Sequence, residues 1–306
     1  MKPFIKGTIL PTTVVGSFPA IVPTGMKRLF GDPLFYAAKN AVARQIQAGI
    51  TIISDGQVRG DMIETFSSRL PGCRGREVIG PVRPSDSLVM IKDTKYALSQ
   101  HPHVKGIITG PTTISYGLSL STATYRNKNE LIPDIASALI PQAQALARLG
   151  VSMIQIDEPL FSTGAADLSL GRDALVSITS GLSLPVCLHV CGDITHIIDD
   201  IIQMPADIID VEGTDNPEIL TVLSKKDIAK RWIGYGCVSS ADSGIEKVSL
   251  IEKRIRNAVE LCSPEQILLD PDCGLRMLTP DIAFEKLRTL GIAANTVRNE
   301  LTPDMY

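Results

Sequence analysis

The stretch PVCLHVCGD, residues 185–193, places Cys187, His189 and Cys191 at every second position of an apolar run. Alternate residues of a β-strand project to the same side, so His189 and Cys191 can reach one metal ion from a single strand end. Cys187 lies one strand step deeper, and a buried cysteine is usually a small core residue. Taken alone, the pair is compatible with a metal site and with an ordinary strand.

Two more residues of ligand type end other apolar runs. Glu212 closes the run DIIDVEG, and Cys273 closes the run QILLDPDCG. If these strand ends meet, the donors of His189, Cys191, Glu212 and Cys273 suit tetrahedral zinc. Structural zinc sites usually draw on close Cys-x-x-Cys pairs, which this chain lacks. The pattern therefore favours an open, reactive zinc site.

The elements that would position these residues are short apolar or β-branched runs, most of them followed by a stretch of helical periodicity. The eight runs span residues 12–17, 51–56, 104–111, 151–159, 184–191, 207–213, 231–238 and 266–274. The helical stretches include residues 133–150, 195–204, 249–262 and 281–299. This alternation predicts an α/β fold, a (β/α)8 TIM barrel, whose chemistry lies at the carboxyl ends of the strands. An open doubly wound sheet is the alternative, but no glycine-rich dinucleotide loop follows the first run.

The length of the chain exceeds what a plain barrel needs. The 306 residues compare with about 250 for a typical TIM barrel. The surplus is assigned to residues 64–103, which contain LPGCRGREVIGPVRPSDSLVM and predict an inserted hairpin between strands 2 and 3. Residues 1–306 are otherwise predicted to form a single catalytic domain.

Composition excludes several classes of partner. The net charge is −3 and the Lys and Arg residues are scattered, so neither nucleic acid nor an acidic membrane surface is expected to bind. The N-terminal region contains no signal-peptide core, and no apolar stretch approaches the 18 or so residues of a membrane span. Six dispersed cysteines do not form a disulfide framework. We expect a soluble, cytoplasmic protein.

Several motifs of the chain resemble those of a known protein family. HVC, the glutamate 21 residues after Cys191 and the cysteine 61 residues further on resemble the zinc site of cobalamin-independent methionine synthase. The stretches VVGSFP, SDGQVRGDMIETF, TKYALSQHPHVKGIITGPTTI and IQIDEPLFSTG also resemble that family. The resemblance covers nearly the whole chain, but only the C-terminal barrel of the long, two-barrel members. In length the chain is similar to the short archaeal type.

The resemblance implies an activity and a set of substrate contacts. The family transfers a methyl group to the thiol of L-homocysteine, giving L-methionine, with one Zn2+ per chain on the four ligands named above. By resemblance, Asp157 binds the ammonium group of homocysteine, while Val15, Gly16 and Ser17 contact its carboxylate. Gln57 is also expected to contact the substrate. It stands where the long enzymes carry a glutamate, so the ammonium contact is expected to rest on Asp157 with Asp55 as a helper.

Two departures from the long enzymes bear on the methyl donor. Ala241 occupies the position of their general-acid histidine, and Gly117 that of a tryptophan that packs on folate. The nitrogen of a methyl folate must be protonated before it can leave, so a donor that needs no acid is expected. We therefore predict methylcobalamin or a methylated corrinoid protein as the donor.

Two other functions remain open from the sequence. One is a corrinoid-dependent methyltransferase acting on coenzyme M, which would have less use for the ammonium-binding Asp157. The other is a non-catalytic barrel that binds zinc or a thiol.

Overall fold

Six parallel strands form the central sheet of the computed structural model, which describes residues 4–23, 31–228 and 231–302. The strands are, in chain order, β1 (Cys73–Arg74), β2 (Glu77–Val78), β3 (Lys105–Thr109), β4 (Ser119–Leu120), β5 (Met153–Asp157), β6 (Val186–Val190), β7 (Ile208–Glu212), β8 (Trp232–Val238) and β9 (Ile267–Pro271). The central sheet has the order β3-β5-β6-β7-β8-β9. Its strands follow one another along the chain, as expected when each is joined to the next by a crossover.

Two extended segments near the N-terminus close this sheet into a barrel. The N–H of Thr13 donates to a carbonyl of β9 at 2.7 Å, and the N–H of Ile52 donates to the carbonyl of Thr12 at 2.9 Å. A backbone N–H of β3 then donates to the carbonyl of Ile53 at 2.9 Å. The circle of eight strand positions is complete, so the predicted (β/α)8 TIM barrel is confirmed.

The first two of the eight predicted strands are much shorter than predicted. Residues 12–17 and 51–56 each contribute one isolated bridge to the barrel. The reason is that threonine hydroxyls replace part of the strand ladder. Thr12 and Thr51 each accept a hydrogen bond from the other's N–H through the side-chain oxygen, at 3.0 and 3.2 Å. Side-chain bonding of this kind competes with regular backbone pairing.

Helices surround the barrel. They are α1 (Pro33–Gln47), α2 (Glu64–Ser67), α3 (Ile91–Gln100), α4 (Pro111–Gly117), α5 (Lys128–Leu149), α6 (Leu168–Thr179), α7 (Ile198–Ile201), α8 (Ile219–Leu223), α9 (Val248–Leu261) and α10 (Pro280–Leu301). The predicted helices 249–262 and 281–299 match α9 and α10, whereas the one predicted over 195–204 is only the short α7. Within the described ranges, no helix is both long and apolar enough to span a membrane.

The segment predicted as an insertion, residues 64–103, has three parts. It begins with α2 and continues with β1 and β2, which pair antiparallel, while β2 also pairs parallel with β4. Its last part is α3, which packs between α1 and α5. These final residues therefore belong to the outer layer of helices that surrounds the strands.

The barrel interior changes from apolar to polar along its axis. At the amino-terminal end, Cys187 packs with a buried set of side chains, Ile52, Met153, Ile208 and Leu268. Cys187 is thus in the core, as expected. Two residues further along their strands, on the same side, come buried polar groups, namely Gln155, His189, Asp210 and Asp270. This polar layer lies directly beneath the carboxyl ends of the strands.

Candidate metal centre

Three of the four predicted metal ligands converge at the carboxyl end of the barrel. His189 lies on β6, Cys191 follows that strand directly, and Cys273 comes two residues after β9. His189 Nε2 is 3.0 Å from Cys191 Sγ, which is 3.1 Å from Cys273 Sγ. All three potential ligand atoms lie within 4.8 Å of one another, and both cysteines are free thiols. A single ion can reach all three.

Loop geometry at the ends of β7 and β9 supports the position of Cys273. The carboxylate of the preceding residue, Asp272, accepts hydrogen bonds from the backbone N–H groups of Gly213 at 3.1 Å and Thr214 at 2.9 Å. These bonds tie the loop after β9 to the loop after β7. Cys273 and Glu212 are thereby held on adjoining loops.

The fourth predicted ligand, Glu212, lies outside this three-residue group. It is the last residue of β7 and is partly buried, and its Oε2 accepts a hydrogen bond from Asn216 Nδ2 at 3.4 Å. Burial raises the pKa of the Glu212 carboxyl to about 7, against the effect of a hydrogen bond from the Gly192 N–H. The structure does not bring Glu212 as close as the other three residues, since its carboxylate is not part of the group whose ligand atoms lie within 4.8 Å of one another.

His189 has a carboxylate on its far side. Asp210 is its register partner on β7, and Asp210 Oδ2 lies 3.1 Å from His189 Nδ1. The two side chains are 1% and 2% exposed. The atoms are at ion-pair distance without the alignment of a hydrogen bond. Burial opposes a charged ring, but Cys191 and Asp210 outweigh it and raise the pKa of His189 well above its usual value.

The donor set fits zinc. A hydrogen bond from the Cys191 thiol lowers the pKa of Cys273 below its usual value, although burial opposes this. Thiolate is the form in which cysteine binds zinc. A carboxylate behind a ligating imidazole is the usual arrangement around a metal-bound histidine. One nitrogen and two sulfur donors, with Glu212 nearby, therefore make a site that suits this ion.

Asp157 lies beside the candidate metal centre. It is the last residue of β5 and pairs in register with His189. The side chain is 6% exposed, and burial raises the pKa of its carboxyl to about 6. Its Oδ1 accepts a hydrogen bond from Gln155 Nε2 at 2.7 Å. A buried carboxylate next to the metal centre is suited to binding a cationic group.

The predicted contacts at Val15, Gly16 and Ser17 lie close to Cys273, since all four line one small cavity. The φ of Gly16 is 154°, and a Cβ atom there would lie 2.4 Å from a side-chain carbon of Ile107. The same Cβ would lie 2.7 Å from Oε1 of Gln57, so the Gln57 side chain rests against Gly16. Among the described residues, the N–H groups of Gly16 and Ser17 have no hydrogen-bond partner. Two backbone donors are thus free to bind an anion.

The structure describes the surroundings of Ala241 and Gly117, the two residues predicted to differ from the long enzymes. Ala241 follows β8 in an exposed loop, where its N–H donates to Ser239 Oγ at 3.3 Å. Gly117 ends α4, and a Cβ there would lie 2.1 Å from a side-chain carbon of Ile63. No larger side chain fits at Gly117 without displacing Ile63.

The sequence interpretation missed the polar layer under the site, notably Asp210 and Gln155. A signal was present, because each is a polar residue inside an otherwise apolar run, two positions before Glu212 and Asp157 respectively. The same alternation that selected His189 and Cys191 places these side chains inside the barrel.

Comparison with known proteins shows the family. Residues 10–296 match the profile described as Cobalamin-independent synthase, Catalytic domain. The chain belongs to the cobalamin-independent methionine synthase family. A methionine synthase of Methanocaldococcus jannaschii is 37% identical over 310 residues, covering 94% of this chain and 99% of the relative. One from Saccharolobus solfataricus is 30% identical and covers 98% of both chains.

Solved structures agree with this assignment at the level of the fold. A B12-independent methionine synthase from Shewanella sp. W3-18-1, in complex with selenomethionine, superposes with a TM-score of 0.83 at 23% identity. The match covers 97% of this chain and all of the other. This member of the methionine synthase family is therefore a methyltransferase with the family's barrel.

The family assignment corrects the predicted methyl donor. Methylcobalamin or a methylated corrinoid protein as partner is wrong, because the matching family is cobalamin-independent. That prediction rested on the missing histidine at Ala241 and the missing tryptophan at Gly117. Proton delivery needs a donor of suitable pKa within reach and not a particular residue at one loop position.

Proposed function

We propose that this family member transfers a methyl group to the thiol of L-homocysteine at a zinc ion held by His189, Cys191 and Cys273. Glu212, at the edge of the group, would be the fourth residue to hold the ion. The observation that carries the proposal is the convergence of one imidazole nitrogen and two cysteine sulfurs within 4.8 Å of one another at the mouth of the barrel. Methionine formation is the activity that the relatives' name, methionine synthase, states.

The thiol end of the substrate needs activation. A free thiol with a pKa near 8.5 is only a few per cent thiolate at neutral pH, and the thiolate is the nucleophile. Bound zinc would supply the activation by holding the substrate sulfur as thiolate. Cys191 and Cys273 keep the centre rich in negative charge, which preserves the nucleophilicity of that sulfur. The partly buried Glu212 leaves an accessible side for the substrate.

The amino-acid end of the substrate meets the residues beside the metal centre. The buried carboxylate of Asp157 binds the ammonium group, and a buried carboxylate gains most from a cationic partner. The free N–H groups of Gly16 and Ser17 donate to the substrate carboxylate. The amide of Gln57, resting against Gly16, contacts the same end. The selenomethionine in the Shewanella enzyme supports a site that accepts an amino acid of this shape.

Zinc-edge X-ray absorption with and without L-homocysteine tests the proposal. We expect a spectrum with two protein sulfurs that gains one sulfur and loses one oxygen ligand when homocysteine is added. In parallel, the zinc-loaded protein should form methionine from homocysteine and N5-methyl-tetrahydrofolate with no corrinoid present. An unchanged spectrum together with no methionine would instead indicate a structural zinc site in a non-catalytic barrel.

A further inference from the structure

The side-chain amide of Gln155 forms hydrogen bonds with two of the residues proposed to contact the substrate. It is fully buried on β5, and its Nε2 donates to the carbonyl oxygen of Val15 at 2.6 Å and to Asp157 Oδ1 at 2.7 Å. Both hydrogens of the amide nitrogen are therefore committed. One side chain thus connects the carboxylate for the ammonium group to the loop for the substrate carboxylate.

Lys105 determines which way this amide faces. Its ammonium, on β3, is 1% exposed and donates to Gln155 Oε1 at 2.5 Å. Among the described residues, no carboxylate oxygen lies within 4.0 Å of Lys105 Nζ. An ammonium can only donate, so it requires the oxygen of the amide and excludes the flipped orientation. A buried ammonium is costly unless other groups offset its charge, and beyond ion-pair distance the charge of Lys105 opposes the rise in pKa that burial causes in the carboxyl groups of Asp157 and Asp270.

We propose that Lys105 and Gln155 form a buried positioning pair that sets Asp157 and the Val15–Gly16 peptide as one unit for the amino-acid end of the substrate. The inference rests on the proposed function, since it concerns how homocysteine is recognised. In a trans peptide the carbonyl and the next N–H point in opposite directions. By holding the Val15 carbonyl, Gln155 therefore orients the Gly16 N–H as well as the Asp157 carboxylate. Neither Lys105 nor Gln155 needs to touch the substrate.

Gln155→Glu tests the pair with little change in shape. A carboxylate still pairs with Lys105 but can donate to neither Val15 nor Asp157, and it places a second acceptor beside Asp157. We expect the KM for L-homocysteine to rise about 10- to 100-fold while kcat falls far less, as for the loss of hydrogen bonds to a charged group. Binding of 1-propanethiol, which lacks the amino-acid end, should stay within about twofold of wild type, because the zinc site is intact. A merely structural role would change both ligands alike.

A matched control is available at Gln142, a buried glutamine on α5 whose amide bonds both backbone groups of Val89. Gln142→Glu should lower stability and leave the homocysteine KM unchanged. Lys105→Met, which frees the amide to rotate, should shift the homocysteine KM in the same direction as Gln155→Glu. Gln155→Met tests the same expectation without a new charge if Gln155→Glu does not fold.

Two results are distinguishable. If wild type methylates homocysteine and the Gln155 and Lys105 variants keep its KM, the positioning pair is refuted while the proposed function stands. If wild type neither methylates homocysteine nor gains a sulfur ligand from it, the proposed function fails, and this inference fails with it.

Discussion

Nδ1 of His189 lies 3.1 Å from Oδ2 of Asp210, in the closed interior of the barrel. The register between β6 and β7 sets the two residues opposite each other. Because Asp210 faces one ring nitrogen, the other nitrogen, Nε2, is directed to Cys191 and Cys273. Asp210 thus orients a proposed zinc ligand without approaching the ion.

Asp210→Ala should weaken zinc binding about 10- to 100-fold, the usual effect of removing the partner of a metal-bound histidine. Asp210→Asn should lose less, because the amide oxygen can face the same ring nitrogen as the carboxylate oxygen does. Competition with a chromophoric chelator measures the affinity directly and does not depend on turnover. Asp270→Ala is the matched control, since Asp270 is equally buried on β9 but, among the described residues, forms no ion pair with His189. Equal losses of zinc affinity in both variants would show that the affinity depends on buried negative charge and not on the contact with His189.

The convergence of His189, Cys191 and Cys273 could be predicted because it follows from strand periodicity and barrel closure. Strand periodicity alone places His189 and Cys191 on one side, and barrel closure brings Cys273 to them from a distant part of the chain. Both features follow from the pattern of residues without knowledge of detailed packing. The position of Cys187 in the core follows from the same alternation.

The polar layer could not be predicted in the same way. Whether Lys105 meets Gln155, or Asp210 meets His189, depends on the register between strands far apart in sequence. The short first strands were missed because threonine side chains replace backbone pairing there. The predicted methyl donor was wrong because two absent side chains, at Ala241 and Gly117, were given too much weight.

Mutation of the proposed zinc ligands Cys191 and Cys273 should have a different effect from mutation of Cys187, which lies in the core. Cys191→Ser and Cys273→Ser should each abolish stoichiometric zinc binding and reduce methionine formation by at least about a thousandfold, because serine is a poor ligand for this ion. Cys187→Ala should retain full zinc and cost about 1 kcal/mol in the free energy of unfolding, the usual result of a small core truncation. Metal analysis of purified protein and chemical denaturation provide both readouts. Zinc loss in Cys187→Ala would mean that the ligand assignment on β6 is wrong.

Asp157 predicts a pH dependence that is specific to homocysteine. Burial raises the pKa of its carboxyl to about 6, and only the ionised form binds an ammonium group. Homocysteine affinity should therefore fall below pH 6, by about tenfold for each pH unit. Asp157→Asn should remove this dependence and raise the homocysteine KM about 100-fold at neutral pH, as for loss of a buried charge partner.

Binding of 1-propanethiol measured over the same pH range reports on the zinc ligands alone. The ratio of the two affinities therefore isolates the ammonium contact. A ratio that does not change between pH 5 and pH 8 in wild type would argue against Asp157 as the ammonium-binding group.

Glu158, next to Asp157, links the site to the stability of the fold. Its carboxylate accepts hydrogen bonds from the N–H groups of Thr112 and Thr113, at 2.9 and 2.8 Å, at the start of α4. Burial nevertheless raises its pKa from 4.5 to about 7. The folded protein therefore holds this proton more tightly than the unfolded chain. The stabilisation from Glu158 is fully present below pH 4.5 and is lost as pH rises to 7, by at most about 3 kcal/mol.

Glu158→Gln removes the titration but keeps an acceptor for one of the two N–H groups. The variant should be less stable than wild type at pH 5, and the difference should shrink or reverse by pH 8, as measured by urea denaturation at both values. Glu130→Gln is the control, because Glu130 is partly exposed and a hydrogen bond from the Arg126 N–H lowers its pKa. Ionised Glu130 stabilises the folded state, so Glu130→Gln should become more destabilising as pH rises. If the stability lost in Glu158→Gln also grows as pH rises, as expected for Glu130→Gln, the buried carboxyl is not protonated in the folded protein.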